Sequence, residues 1–285
     1  NHRVLLYFTL FFIIYMIWAQ WQMDYAPKPA PGAVGQSTQK NGGAITSEDI
    51  PQAVTTEGGQ VVSPGVKEVT TSSEHIKVVT DVLDVEIDTK GGDILRAVLR
   101  NYSISADEPE EKLILMTDES VNYHVAQSGL VSVNKGTAPS HNALYRSDKN
   151  VYRLAEGEDV IEVPLYWEDG NGVTVKKVLT FNRNSYIIDV NNYITAGKEK
   201  WSGSDYMQIT RARPDESDAN AFIRTYTGGV VYNDEIKYEK YDFDDIAEKN
   251  LDYQLADGWV AMIQHYFLSA WIPETGKDNL FYSRY

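Results

Sequence analysis

The stretch "VIEVPLYWEDGNGVTVKKVLTF" (residues 160–181) decides the fold class, because it contains two alternating runs around one turn signal. Apolar residues occupy most second positions of both runs: Ile161, Val163, Leu165, Trp167, then Val173, Val175, Leu179 and Phe181. Such alternation is typical of a β-strand with one covered face. The "DGNG" between the runs (169–172) is a strong hairpin signal. The stretch therefore predicts two antiparallel strands.

The same pattern continues on both sides of this hairpin. Upstream, "DVLDVEIDTKGGD" (81–93) places Leu83, Val85 and Ile87 on one face and predicts a turn at Lys90–Gly92. Downstream, "NRNS" (182–185) turns the chain into another alternating run. Repeated hairpins with one apolar face predict a mainly β, antiparallel sandwich or barrel. The only clear helical stretch is short, around 243–250.

The N-terminal segment, residues 1–25, is predicted to be an uncleaved transmembrane anchor. The apolar run is roughly 25 Å long as a helix, the short end of what spans a bilayer. Bulky residues follow it where a signal peptidase site would need small ones. Arg3 before the run predicts a cytoplasmic N-terminus. A signal peptide cut at an unusual site and a buried core helix are the alternatives. The predicted anchor residues are Val4, Leu5, Leu6, Phe8, Phe11, Phe12, Ile13, Ile14, Ile17 and Trp18.

Two further segments follow the predicted anchor. Residues 26–73 are rich in Pro, Gly, Ser and Thr and contain no aromatic residue, which predicts a flexible linker. Residues 74–285 are predicted to form the β-sandwich domain. Within it, Gly258–Pro273 is too short and too polar for a second membrane span, so we expect one buried central strand. The final "NLFYSRY" is strand-like, and we expect the sheet to continue beyond it.

Composition excludes several classes of function. The formal net charge of −15 disfavours binding to nucleic acid, whose phosphates are also negative. With no cysteine, disulfides, thiolate metal sites and cysteine nucleophiles are impossible. The five histidines do not stand in metal-ligand spacing, and no nucleotide-binding or hydrolase motif is present. We therefore predict no catalytic residue, no metal and no cofactor.

One charged segment, 233–250, interleaves aromatic residues with acids and bases. Exposed aromatic residues are what protein–protein interfaces use, so this segment is the candidate partner-binding patch. The alternative is that the rings pin the segment to the sandwich. Asp242 is better explained as a helix N-cap than as a calcium ligand. The candidate partner-binding residues are Tyr232, Tyr238, Tyr241, Phe243 and Asp244.

Several separate stretches resemble the YidC family of membrane protein insertases of Gram-negative bacteria. The stretches are "TDVLDVEIDTKGGDI" (80–94), "AQSGL" (126–130), "YRLAEGEDVIEVPL" (152–165), "IKYEKYDFDDIAE" (236–248) and "GWVAMIQHYFLSAWIP" (258–273). The resemblance covers essentially the whole chain. It implies a periplasmic β-supersandwich similar to galactose mutarotases, preceded by an uncleaved transmembrane helix in the inner membrane.

The resemblance also implies a function. The family inserts and folds inner-membrane proteins, alone or with the Sec translocon, by means of a hydrophilic groove in five later helices. This sequence has no positions that match that groove. The resemblance also implies contact with the SecD/SecF accessory complex, through a region that corresponds to residues 206–262. Sugar mutarotation is not implied, because the necessary His and Glu pair is not recognisable here.

Two other functions stay open from the residues alone. A membrane-tethered β-sandwich could bind a periplasmic glycan or peptide through its many aromatic residues. A carboxylate-dependent glycan enzyme needs only two suitably placed acids, and 41 acidic residues are available. No particular pair stands out.

Overall fold

The computed structural model describes residues 15–16, 73–133, 136–197, 200–214, 226–264 and 266–285. The ten predicted anchor residues and the predicted linker up to residue 72 lie outside these ranges. The domain boundaries predicted there stay predictions. Across the described ranges, no helix is both long enough and apolar enough to cross a bilayer.

The described residues are mainly β, as predicted, with antiparallel pairing throughout except for one parallel pair. The strands are β1 (His75–Val79), β2 (Leu83–Asp88), β3 (Ile94–Ser105), β4 (Glu108–Met116), β5 (His124–Ser132), β6 (Arg146–Ser147), β7 (Val151–Arg153), β8 (Val160–Glu168), β9 (Thr174–Asn182), β10 (Ile188–Thr195), β11 (Gly203–Arg211), β12 (Gly228–Asn233), β13 (Lys237–Tyr241), β14 (Asp252–Ala256), β15 (Trp259–Gln264), β16 (Phe267–Trp271) and β17 (Asp278–Tyr282). The helix α1 is Phe243–Glu248.

Two sheets form the sandwich. The large sheet has the order β11-β5-β3-β2-β1-β7, with β4 paired to β3, and the second sheet has the order β10-β9-β8-β6. The predicted β2–β3, β8–β9 and β9–β10 hairpins are confirmed by their antiparallel registers. In the β8–β9 turn, Asp169 Oδ1 accepts hydrogen bonds from the backbone N–H groups of Asn171 (2.7 Å) and Val173 (2.9 Å). The parallel pair is β1 with β7.

The core lies between these two sheets. Alternate side chains of β8 and β9 meet alternate side chains of β1 and β2 in one buried cluster, as the period of two predicts. Its fully buried members include Ile76, Val78, Val85, Ile87, Val163, Leu165, Leu179 and Phe181. Burying each such side chain stabilises the fold by about 1.5–3 kcal/mol.

The third sheet, with the order β13-β12-β15-β16, corrects one prediction. Gly258–Pro273 is not a single buried central strand but the β15–β16 hairpin, and most of its residues are only half-buried. Tyr266 lies at the turn with φ 75° and is 84% exposed. Gln264 is the last residue of β15, and the apolar content of both arms hides the turn that follows it. His265 lies outside the described residues.

A two-stranded ribbon of β14 and β17 packs against the third sheet. Val231, Leu255 and Phe281 form the buried cluster at this contact. The short predicted helix is confirmed as α1, and Asp242 is its N-cap. Asp242 Oδ1 accepts from the Asp245 N–H (2.8 Å), and the Asp245 side chain accepts in return from the Asp242 N–H (3.2 Å). This reciprocal pair is a capping box.

Candidate partner-binding surface

Three aromatic side chains lie in a row across one face of the third sheet. Tyr232 on β12 pairs directly with Tyr238 on β13 and with Trp259 on β15, so all three project from the same face. The rings of Tyr232 and Trp259 stack with centroids 5.5 Å apart and planes 18° apart. The ring of Tyr238 lies edge-on to Trp259 at 6.2 Å. These three residues are called the aromatic row below.

Charged groups border the aromatic row. Lys240 Nζ lies 4.7 Å from the ring centroid of Tyr226 and 5.7 Å from that of Tyr238, which is cation–π distance. The Tyr232 hydroxyl donates to Asp234 Oδ1 at 3.1 Å, and this hydrogen bond raises the pKa of Tyr232. Tyr238 is 47% exposed. The row is thus a partly exposed apolar surface with a cation and an anion at its edges.

Tyr241, another candidate residue, projects from the opposite face of β13. Its hydroxyl contacts Glu239 Oε2 and the Tyr253 hydroxyl, and Tyr253 also donates to Glu239 Oε2 at 2.9 Å. Burial, together with the Glu239 hydrogen bond, raises the pKa of Tyr241. The ring packs against the buried Val231 cluster. For Tyr241 the structure therefore favours the alternative interpretation, in which the ring pins the strand to the domain.

The remaining two candidates begin α1. Phe243 is half-buried, whereas Asp244 is exposed and its Oδ1 accepts a hydrogen bond from Arg213 Nη1 at 2.8 Å. That hydrogen bond lowers the pKa of Asp244. The five candidates are thus divided between two faces of the third sheet and α1. Sequence reasoning missed Trp259, because its place beside Tyr232 depends on a strand pairing that the local pattern does not reveal.

A second notable site is a buried polar cluster around Lys177, on the core-facing side of β9. The Lys177 side chain is fully buried, and its Nζ donates to the carbonyl oxygens of Gly91 (2.6 Å) and Ser128 (3.0 Å). Asp93 is also buried, and its Oδ2 accepts from Gln127 Nε2 at 2.8 Å. One signal was available, because Lys177 interrupts the apolar alternation between Val175 and Leu179.

The electrostatics of this Lys177 cluster are dominated by burial. Burial raises the pKa of Asp93, and the positive charge of Lys177 only partly opposes this effect. Burial likewise lowers the pKa of Lys177, opposed by the charge of Asp93. Among the described residues, Asp93 Oδ1 and the Tyr145 hydroxyl are buried without a hydrogen-bond partner. The low-dielectric surroundings thus disfavour both charged forms.

Glycine is required where the chain approaches Lys177. Gly91 has φ 76°, and a Cβ at this position would lie 2.3 Å from the carbonyl oxygen of His141. The neighbouring Tyr206 hydroxyl accepts from the His141 backbone N–H at 2.9 Å and lies 2.7 Å from His141 Nδ1. The predicted Lys90–Gly92 turn is therefore confirmed, and it also delivers a carbonyl group to the buried ammonium.

Another buried histidine joins three strands. His124 Nδ1 lies 2.9 Å from the Leu115 carbonyl oxygen, and Nε2 lies 2.8 Å from Ser269 Oγ. Burial and the nearby Arg211 guanidinium lower the pKa of His124 to about 4. His124 is thus a neutral, hydrogen-bonded core histidine. Within the described ranges, no three His, Asp or Glu side chains are grouped closely enough to hold a metal ion.

Comparison with known proteins identifies the family of this chain. A family model described as the YidC periplasmic domain matches residues 75–285. The chain belongs to the YidC family. The match covers the described strands from β1 onward, so the sandwich and the third sheet are both parts of the YidC periplasmic domain.

Curated YidC relatives extend the similarity to the whole chain. "Membrane protein insertase YidC" of Methylococcus capsulatus is 39% identical over 286 residues, which covers 100% of this chain and 51% of the relative. The same protein of Thioalkalivibrio sulfidiphilus is 39% identical, covering 100% of the chain and 52% of the relative. That of Shewanella baltica is 37% identical, covering 99% and 50%. The chain spans about half the length of the curated relatives it matches.

Proposed function

We propose that this chain is the N-terminal part of a membrane protein insertase that inserts and folds inner-membrane proteins, alone or with the Sec translocon. In this proposal, residues 1–25 cross the inner membrane from a cytoplasmic N-terminus, residues 26–73 form a linker, and residues 74–285 form the periplasmic domain. The carrying observation is that the whole chain aligns with about half of relatives that are named insertases.

Within this function, the chain anchors and presents a docking domain. It has no positions that match the hydrophilic groove implied by the resemblance, so nascent inner-membrane proteins are expected to engage a different part of the protein. We assign the chain no catalytic step and no cofactor. Its direct partners are the lipid bilayer, through the anchor, and the SecD/SecF accessory complex, through the third sheet.

The aromatic row is the proposed docking surface for SecD/SecF. Tyrosine and tryptophan are the residue types that contribute most binding energy at protein interfaces, particularly when polar groups surround them. Three neighbouring strands fix the relative positions of these rings, so little side-chain entropy is lost on binding. Lys240 and Asp234 at the edges add the charges that select partner orientation.

The test is co-purification of SecD/SecF with the protein expressed in its natural reading frame in a Gram-negative host. In the Tyr238→Ala/Trp259→Ala variant we expect recovery of SecD/SecF to fall about tenfold or more, equivalent to about 1.4 kcal/mol. The control is Tyr193→Ala, which removes a 59% exposed ring from β10. Near-UV circular dichroism checks that both variants fold. Equal recovery from the two variants would exclude the aromatic row as the docking surface.

A second candidate function is glycan or peptide binding by the membrane-tethered sandwich. The stacked Tyr232 and Trp259 rings favour it, because they offer a rigid aromatic platform. Titration calorimetry with cell-wall oligosaccharides tests this candidate directly. Heat that disappears in Trp259→Ala supports it, and the absence of heat with every glycan rejects glycan binding.

A further inference from the structure

An open depression lies between the β3–β4 hairpin and the tip of the β15–β16 hairpin. Its volume is about 720 Å³. The Tyr102 ring forms part of its floor, edge-on to Phe267 with centroids 5.2 Å apart. Tyr186 extends the aromatic contact, with its ring centroid 6.1 Å from that of Tyr102. The lining residues include Tyr102, Ser103, Ile104, Pro109, Tyr266 and Phe267.

The apolar side chains of this hairpin depression are unusually accessible. Ile104 is 56% exposed and Tyr266 is 84% exposed. The backbone holds them there: the β3–β4 register shifts between Leu99 and Ser103, and Ser103 Oγ donates to the Pro109 carbonyl oxygen at 2.8 Å. Tyr266 adopts a left-handed backbone conformation that tyrosine rarely takes. Contiguous apolar surface that stays exposed on a folded protein is a feature of interaction sites.

Negative charge lies beside this apolar floor. Asp107, Glu108, Glu110 and Glu111 are all exposed on the same hairpin. Among the described ion pairs, none includes these four carboxylates. The nearest base in sequence, Lys112, donates its Nζ to the Pro109 carbonyl oxygen at 2.7 Å. The hairpin depression thus combines apolar contact area with an excess of negative charge.

We propose that the hairpin depression binds a polypeptide segment in which one or two large apolar side chains are flanked by lysine or arginine. The apolar side chains would contact Ile104, Tyr266 and the Tyr102 ring, and the flanking cations would meet the hairpin carboxylates. This inference rests on the described residues and is independent of the insertase proposal. The site is separate from the aromatic row, since the two share no residue.

Other occupants fit the same features less well. A small molecule needs an enclosed pocket with converging polar groups, whereas this depression is open and, among its described lining residues, carries no charged side chain. An anionic membrane surface repels the four carboxylates. A second copy of this chain carries the same formal net charge of −15, which also opposes contact here.

The test measures binding of a fluorescent peptide, Lys-Lys-Leu-Phe-Lys-Lys, to the full chain in mild detergent by fluorescence anisotropy. We expect a Kd on the order of 10 µM and at least tenfold weaker binding to Ile104→Ser/Tyr266→Ser. The control, Val121→Ser/Tyr193→Ser, removes two side chains that are 72% and 59% exposed at other positions, and should bind as the parent does. Near-UV circular dichroism checks that the variant and the control are both folded.

Charge is tested by a second matched pair on β4 and the turn that follows it. Glu110→Lys/Glu111→Lys should weaken peptide binding at least threefold and reduce its dependence on salt, because the screened attraction is lost. Asp118→Lys/Glu119→Lys makes the same net change beyond the other end of β4 and should have little effect. A peptide with glutamate in place of lysine should bind much more weakly than the basic peptide.

Three outcomes overturn the proposal. The first is a Kd weaker than about 1 mM for the basic peptide. The second is peptide binding that the Ile104→Ser/Tyr266→Ser change leaves unaltered. The third is binding of zwitterionic or anionic lipid vesicles that depends on Ile104 and Tyr266, which would make the depression a membrane contact. In the vesicle experiment, the parent and the Ile104→Ser/Tyr266→Ser variant are compared under identical detergent-depleted conditions. The predicted anchor then contributes equally to vesicle binding by both proteins.

Discussion

The Lys177 cluster gives the sharpest stability prediction. Lys177→Met keeps the length and most of the volume of the buried side chain but removes its ammonium group. The carbonyl oxygens of Gly91 and Ser128 then lose a charged donor at 2.6 Å and 3.0 Å. Asp93 loses the positive charge that partly opposes the effect of burial on its pKa. The substitution therefore tests electrostatics rather than packing.

The magnitude follows from two contributions. Removing one of two buried, opposite charges costs up to about 3–5 kcal/mol when the other charge is left uncompensated. Part of this, about 1–3 kcal/mol, comes from carbonyl groups that lose a donor. We expect Lys177→Met to lower the free energy of unfolding by about 3 kcal/mol at pH 8, because Asp93 in the variant relieves part of the cost by binding a proton.

The cost should shrink at low pH. Burial already raises the pKa of Asp93, and removal of Lys177 takes away the charge that opposes this rise. At pH 5 the Asp93 carboxyl group in the variant is therefore neutral in the folded state and needs no cation. Only the loss of the carbonyl hydrogen bonds remains, and the cost falls to about 2 kcal/mol.

The assay is urea unfolding of the full chain in mild detergent, followed by tryptophan fluorescence at pH 8 and pH 5. Lys176→Met is the matched control, because Lys176 is the exposed neighbour on the same strand, and we expect a change within about 0.5 kcal/mol. In a double-mutant cycle with Asp93→Asn, the coupling energy should be large at pH 8 and small at pH 5. Equal stability of the Lys177→Met and Lys176→Met variants at pH 8 would show that the Lys177 ammonium group does not stabilise the fold.

Three further predictions concern other described residues. The folded-state pKa of His124 is about 4, below its ordinary value of 6.5, so the unfolded chain binds the extra proton first. The contribution of His124 to stability should therefore fall by about 3 kcal/mol between pH 6.5 and pH 4. Urea titrations of His124→Asn should lack this part of the pH dependence. Gly91→Ala should cost more than about 2 kcal/mol through strain and a clash, whereas Gly157→Ala, which also has positive φ but nothing within 4 Å, should show only the strain of about 1–2 kcal/mol. Asp242→Ala should cost about 1 kcal/mol through loss of the N-cap, measured by thermal unfolding, and Asp252→Ala is the exposed control.

Local sequence patterns predicted the parts of the fold that depend on neighbouring residues. The β2–β3 and β8–β9 hairpins follow from alternation and turn residues, and α1 follows from Asp242 and the short periodic run after it. The Gly258–Pro273 segment was predicted wrongly because both arms of the hairpin are apolar. Its turn is made by a tyrosine rather than by glycine or asparagine, so no turn signal was visible.

The two sites depend on pairings that are distant in sequence, and local patterns cannot specify those. Tyr232 and Tyr238 could be nominated from one segment, but Trp259 joins them only through the β12–β15 pairing. Lys177 contacts Gly91, which lies 86 positions away in the sequence. The sequence shows that Lys177 interrupts the apolar alternation, but it does not show which residue Lys177 contacts. Conversely, the sequence pattern treated Tyr241 and Tyr238 alike, as aromatic residues of one charged segment. Odd and even positions of β13 face opposite sides of the sheet, so the two rings lie on different faces.

The central claim is that this chain is the anchored periplasmic arm of an insertase. It is tested most directly by expressing the chain in a Gram-negative host and measuring its intact mass in the membrane fraction, before and after protease is added to spheroplasts. We expect a membrane-bound mass that retains residues 3–25, with residues 74–285 degraded by the protease from outside. A mass that begins near Ala26, with the protein in the soluble periplasm, would contradict the anchor and favour the binding-module alternative.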